Sequence, residues 1–152
     1  MADDRIEREV VIDAPVARVW ELVTEAEHLG TWFGDAGADI DLRPDGELEL
    51  RWTEYGTARG RIERVEPERL LAFRWAPFKN PGGATPVAGN STLVELSLAP
   101  EGGETTRVRV VESGFATLDC SDEQRADNHA GNTEGWEHEL GDLADYAARV
   151  AA

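Results

Sequence analysis

Residues 121–150 read SDEQRADNHAGNTEGWEHELGDLADYAARV, and their periodicity decides the fold. Ser121 and Gln124 have the spacing of a capping box, and Asp122 and Glu123 fall in the first turn, where a helix dipole favours acids. At 100° per residue Trp136, Leu140, Leu143, Ala147 and Val150 line one side of a long helix. The same stripe carried backwards meets Asn132, His129 and Arg125. The inward face is therefore apolar in its C-terminal half and polar in its N-terminal half. Gly131 and Gly135 interrupt the polar half, each at a cost of ~1 kcal/mol relative to alanine. They suit a bend, or a close approach of the helix to a sheet or a ligand.

Upstream of this helix the period is two. Leu48, Leu50 and Trp52 alternate with charged or polar residues, as do Val94, Leu96 and Leu98, then Val108 and Val110, while Leu71, Phe73 and Trp75 share a side. Tight turns such as RPDGE and APEGGET join them, which predicts a meandering antiparallel sheet. Its inner face is apolar and aromatic. The outer face interleaves Glu and Arg, able to pair across strands and read as a solvated surface. Near the start, IEREVVID (6–13) is a first strand. A helix follows, with Asp13 as N-cap, Pro15 in the first turn and an apolar stripe of Val16, Val19, Trp20 and Val23. TEAE (24–27) has capping-box spacing for a second short helix that Gly30 would end. Trp32 and Phe33 come directly after it, and His28 is expected in water.

Composition narrows the function classes. The chain has 152 residues with 31 acids against 15 Lys+Arg, a formal net charge of -16. That field repels phosphate backbones and anionic lipid, so neither nucleic acid nor a membrane surface is an expected partner. No stretch approaches the ~20 apolar residues of a membrane span and no leader pattern opens the sequence, so cytoplasmic residence is expected. Cys120 is the single cysteine, which excludes an internal disulfide and a cysteine-built zinc site. One domain over 1–152 is expected.

The segments VVIDAPVARVWELVT (10–24), TWFG (31–34), GRIERVEPERLLAFRW (60–75), STLVELSLAPEGGETTRVRVVESGF (91–115) and EGWEHELGDLADY (134–146) closely resemble the family named for the activator of the Hsp90 ATPase homologue. That family lies within the SRPBCC, or START-like, superfamily. The resemblance runs over nearly the whole chain in order; Glu104 departs from it, replacing a frequent glycine in a surface hairpin. It implies an α+β helix-grip fold: a curved seven-stranded antiparallel sheet wrapped on a long C-terminal helix, with two short helices between strands 1 and 2. It also implies a cavity between sheet and helix, with Trp32 and Phe33 over one end as lid or as plug. The superfamily includes lipid carriers, cyclases and a cochaperone domain, and the fold does not choose among them.

Site residues follow from strand parity and the helical stripe. Glu112 shares the inner side with Val108 and Val110, and Glu54 that of Trp52. Arg125, His129 and Asn132 approach from the helix. The expectation is a small, mostly hydrophobic ligand embraced by Trp32, Phe33, Trp52, Phe73, Trp75 and Trp136, its polar head on Glu112, Arg125, His129 and Asn132. On that reading Glu112→Gln weakens binding and hardly changes Tm; a buried structural ion pair is the alternative. A cyclase- or hydrolase-type enzyme would use Glu112 and His129 as acid and base, for which they must stand within ~3 Å or share a water. A chaperone-associated interaction module is a third reading, with a protein partner and a monomer or dimer. His138 faces away from Trp136 with Glu134 and Asp142 a turn to either side, short of a closed metal site. No metal or cofactor is expected. NPGGATPVAGN (80–90) has no phosphate-binding spacing and suits a flap beside the cavity.

Overall fold

The computed structural model describes residues 4–54, 56–76, 86–87 and 89–150; residues 80–85 and 88 of the expected flap lie outside them. Strand β1 (Arg5–Ile12) leads into helix α1 (Val16–Thr24), short helix α2 (Ala26–His28) and a π-helical turn over Leu29–Phe33. Six strands follow: β2 (Ala38–Ile40), β3 (Glu47–Trp52), β4 (Gly56–Glu66), β5 (Leu70–Trp75), β6 (Thr92–Pro100) and β7 (Thr106–Ser113). A 3₁₀ turn, Phe115–Thr117, precedes α3 (Asp122–Val150).

The strands form one antiparallel sheet in the order β1-β7-β6-β5-β4-β3-β2. Alternation in sequence becomes alternation in burial: Thr106, Val108, Val110 and Glu112 of β7 point inward, and so do Thr92, Val94, Leu96 and Leu98 of β6. A register shift between Ile62 and Arg64 marks a bulge in β4, a device that bends a strand and adds twist. The concave face holds the core, and α3 lies across it against β1 and the π-turn.

The outer face is the expected charge lattice. Glu7 of β1 pairs with Arg109 of β7, Arg107 bridges Glu9 and Glu101, and Arg51 bridges Asp39 and Glu49. The Arg109 guanidinium holds the Glu7 carboxyl below its usual range, and Arg107 does the same for Glu101.

Helix α3 begins as expected: the Gln124 amide N–H donates to Ser121 Oγ at 3.1 Å, and the Ser121 N–H to Gln124 Oε1 at 3.0 Å. Its buried stripe is Asn132, Trp136, Leu140, Leu143, Tyr146 and Ala147. Tyr146 was outside the expected stripe. Its hydroxyl shares a 2.7 Å hydrogen bond with His28 Nδ1, so His28 is buried, contrary to expectation, and joins α2 to the end of α3.

The N-terminal caps also differ from expectation. Pro15, not Asp13, is the N-cap of α1, with extended geometry and no side-chain bond. Thr24 turns back to the Trp20 carbonyl (2.6 Å) and caps nothing. Nor does Gly30 stop the helix, which widens into the π-turn and ends at Gly34. Both glycines serve close approach. A β-carbon on Gly30 would stand 2.7 Å from the Ala38 nitrogen, and one on Gly34 2.6 Å from the Arg51 carbonyl oxygen. Their absence lets the Trp32–Phe33 segment lie directly on β2 and β3.

Candidate functional site

With the turn seated there, its two aromatic rings take different duties. Trp32 donates its indole N–H to the Leu22 carbonyl (2.7 Å) and stacks on Phe33 at 5.1 Å between ring centres. Trp32 is thus an anchor to α1. Phe33 faces inward, packing edge-on to Trp52 and Trp75 and tilted against Trp136, with centroids 5.4–5.8 Å apart.

These four rings wall a cleft of about 340 Å³ between the sheet and the N-terminal half of α3. The helix side is polar: Asp127, Asn128, Asn132, Glu134, His138 and Glu139, with Gly131 and Gly135 between them. A β-carbon built on either glycine meets nothing within 4 Å. Neither glycine serves the close helix–sheet approach that sequence left open. They leave space.

Behind the walls lies Glu112, fully buried. Trp75 Nε1 (2.9 Å) and Thr92 Oγ1 (2.5 Å) donate to Oε2, Trp136 Nε1 (2.8 Å) donates to Oε1, and Asn132 Nδ2 stands 3.0 Å from both oxygens. The carboxylate of β7 therefore ties together β5, β6 and α3. Both oxygens act only as acceptors, which is what a carboxylate offers and a carboxamide cannot match. Glu112 is absent from the cleft lining, and instead orients two of the indoles that form it.

The other expected head-group ligands stand elsewhere. His129 Nε2–H donates to the Arg5 carbonyl at 3.0 Å, and its ring meets Phe115 edge-on. Glu112 and His129 are thus engaged with separate partners, and the structure does not join them as an acid–base pair. Arg125 grips the chain before its own helix, donating to the carbonyls of Leu118 (2.7 Å) and Cys120 (2.5 Å) and pairing with Asp122. Phe73 is core, packed edge-on against Trp75. Glu54 is exposed in the turn after β3. Of the expected ligand-binding residues, Phe33, Trp52, Trp75, Asn132 and Trp136 reach the cleft.

Glu139 is the residue that sequence reasoning missed. Its Oε2 is buried without a hydrogen-bond partner. Burial first, then the charges of Asp142 and Asp35, push its carboxyl up to about 8, against a hydrogen bond from Trp52 that favours the ionised form. A signal was available: Glu139 lies three residues after Trp136 and four after Gly135, on the same flank. Together His138, Glu139 and Asp142 bring ligand-type atoms within 4.8 Å of one another, and His138 Nε2 lies 3.2 Å from Asp142. All three come from one flank of α3, and His138 is exposed.

Fold and cleft together define a helix-grip protein. The family model described as Activator of Hsp90 ATPase homolog 1-like protein matches residues 13–148, and the chain belongs to that family. No curated protein matches the chain. Among solved structures it is similar to DynU16 of the dynemicin biosynthetic locus, at 26% identity and a TM-score of 0.73 over 95% of this chain and 47% of that one. The chain spans about half the length of DynU16. CalU16 from Micromonospora echinospora matches at 26% identity and TM-score 0.67, over 94% and 75% of the two chains. PFC0360w, an Hsp90 activator from Plasmodium falciparum, shares the fold at TM-score 0.75 and 13% identity, over 96% and 97%. No helix among the described residues is long and apolar enough to cross a membrane.

Proposed function

We propose that this protein binds a small, mostly apolar molecule between the concave sheet and the first half of α3. The observation that carries the reading is the cleft itself. About 340 Å³ walled by Phe33, Trp52, Trp75 and Trp136 falls within the size range of small-molecule sites, and its polar groups converge from one side. Two helical glycines support it, since they face open volume where alanine would give a more stable helix. The Glu112 cluster supports it too, by fixing Trp75 and Trp136 in one orientation so that a ligand meets a preformed wall. A protein-docking role has less to rest on. The exposed large apolar side chains among the described residues are Val11, Leu42 and Val87, from separate parts of the chain.

Native mass spectrometry of freshly purified protein tests the proposal. A mass increment of a few hundred daltons, lost in Gly135→Leu, is expected. Should the protein arrive empty, titration with tert-butylbenzene and its charged isostere phenyltrimethylammonium decides: binding of either that Gly135→Leu abolishes supports the cleft, and binding of neither to the folded wild type refutes it.

A further inference from the structure

The acids of this molecule live in two different settings. On the outer sheet face they are threaded through arginines: Glu7 with Arg109, Glu9 and Glu101 with Arg107, Glu63 with Arg74. At the cleft the acids are Asp127, Glu134 and Glu139, and among the described residues none of them pairs with an arginine. No Arg or Lys is found among the described residues that line the cleft. Glu139 adds a buried oxygen with no donor, beside aromatic faces that carry negative charge density of their own. Burying a carboxylate oxygen without a partner is costly, and four aromatic walls with an acidic rim favour one sign of guest.

We propose that the guest carries a cationic nitrogen, a protonated amine or a quaternary ammonium, set against Glu139 and the indole faces while its apolar body fills the cleft. This deepens the ligand reading above and rests on it. The groups facing the Glu139 carboxyl are His138 and Asp142 on its own helix, Asp35 from the segment after the π-turn, and the Trp52 indole of β3. Asp35 and Asp142 add negative charge, and Asp35 is held in place by accepting the Thr53 N–H at 2.6 Å. The carboxyl pushed up to about 8 is protonated near neutrality in the empty cleft. A bound cation favours its ionised form, so binding must release a proton. Affinity for the cation then rises with pH, by up to roughly tenfold per unit below about 8, and levels off above it.

Phenyltrimethylammonium and its carbon isostere tert-butylbenzene have the same shape and differ in charge. Titrating the folded protein with each at pH 6, 7, 8 and 9 tests the inference. The ammonium is expected to bind at least about tenfold more tightly at pH 8, with affinity rising from pH 6. Release of most of one proton at pH 7 is expected from calorimetry in buffers of different ionisation enthalpy. In Glu139→Gln the pH dependence and the proton release should vanish, while tert-butylbenzene binds as before. Equal affinity for the two probes overturns the cation and leaves the apolar cleft standing; failure of both overturns the cleft itself. A pH dependence that survives in Glu139→Gln overturns the role of Glu139. Displacement of the ammonium by Zn²⁺ alone, with His138 perturbed, overturns an organic cation in favour of a metal ion.

Discussion

The two halves of α3 share one face of one helix and do opposite things. From Leu140 to Ala147 every inward residue is spent on the core: Leu143 is fully buried, and Tyr146 is pinned to His28. From Asp127 to Glu139 the helix borders the cleft and is tied to the sheet through Asn132 and Trp136 on Glu112, with two glycines, a fringe of acids and a buried carboxyl oxygen without a donor. Local consistency marks the half that holds the fold. Local inconsistency, in two glycines and acids without arginine partners that line the cleft, marks the half we propose for binding.

The contrast can be broken from the packed side first. Leu143→Ala should cost about 3–4 kcal/mol of unfolding free energy, a core cavity that cannot collapse between helix and sheet; urea denaturation reads it. Next comes Glu112→Gln. Its amide nitrogen would face N–H and O–H donors, so a loss of about 2–3 kcal/mol is expected, together with weaker ligand binding as Trp75 and Trp136 lose their anchor. The sequence alone favoured a variant of unchanged Tm; the ring of donors reverses that expectation.

On the cleft side the signs invert. Glu139→Gln should be more stable than the wild type at pH 8, by about 2 kcal/mol once partial solvent contact is allowed for. A carboxyl whose folded pKa is raised favours folding while it keeps its proton. That advantage is complete below the unfolded value of 4.5 and declines as pH rises towards about 8. Thermal melts from pH 4 to 9 should therefore show the two proteins diverging with pH. Gly131→Ala with Gly135→Ala should stabilise by about 1–2 kcal/mol and weaken binding. Gly141→Ala, on the same helix but away from the cleft and equally free of contacts, should stabilise without touching binding. The smallest effect belongs to the outer lattice. Glu7 and Glu101 have lowered pKa values, so their contribution is present above about 4.5 and fades as pH falls below it. Arg109→Gln should flatten that acid limb slightly, and added salt should do the same.

Strand parity and helical period were enough to read the sheet, the long helix and the inward aim of Glu112, because each depends on one repeating geometry. The exceptions were places where geometry departs from the repeat. The π-turn moved Trp32 and Phe33 onto different faces, and a widened turn has no sequence marker as plain as a cap. Tyr146 and His28 find each other across 118 positions, a pairing that no local pattern contains. Arg125 and His129 lie on the extrapolated stripe, but nearby backbone carbonyls capture them first. Glu139 was legible as a neighbour of Trp136 and Gly135 on the helix surface. Its unpaired oxygen was not, because desolvation depends on what Trp52 and Asp35 bring from elsewhere.

The five tryptophans allow the most direct test. Trp52, Trp75 and Trp136 wall the cleft, while Trp32 is tied to Leu22 behind Phe33 and Trp20 of α1 packs against the core. In a ¹⁵N–¹H spectrum of the wild-type protein titrated with phenyltrimethylammonium, the indole signals of Trp52, Trp75 and Trp136 should shift saturably while those of Trp20 and Trp32 stay in place. Movement of Trp20 and Trp32 instead, or no movement of any indole with either the ammonium or tert-butylbenzene at millimolar concentration, would contradict a binding cleft beneath the first half of α3.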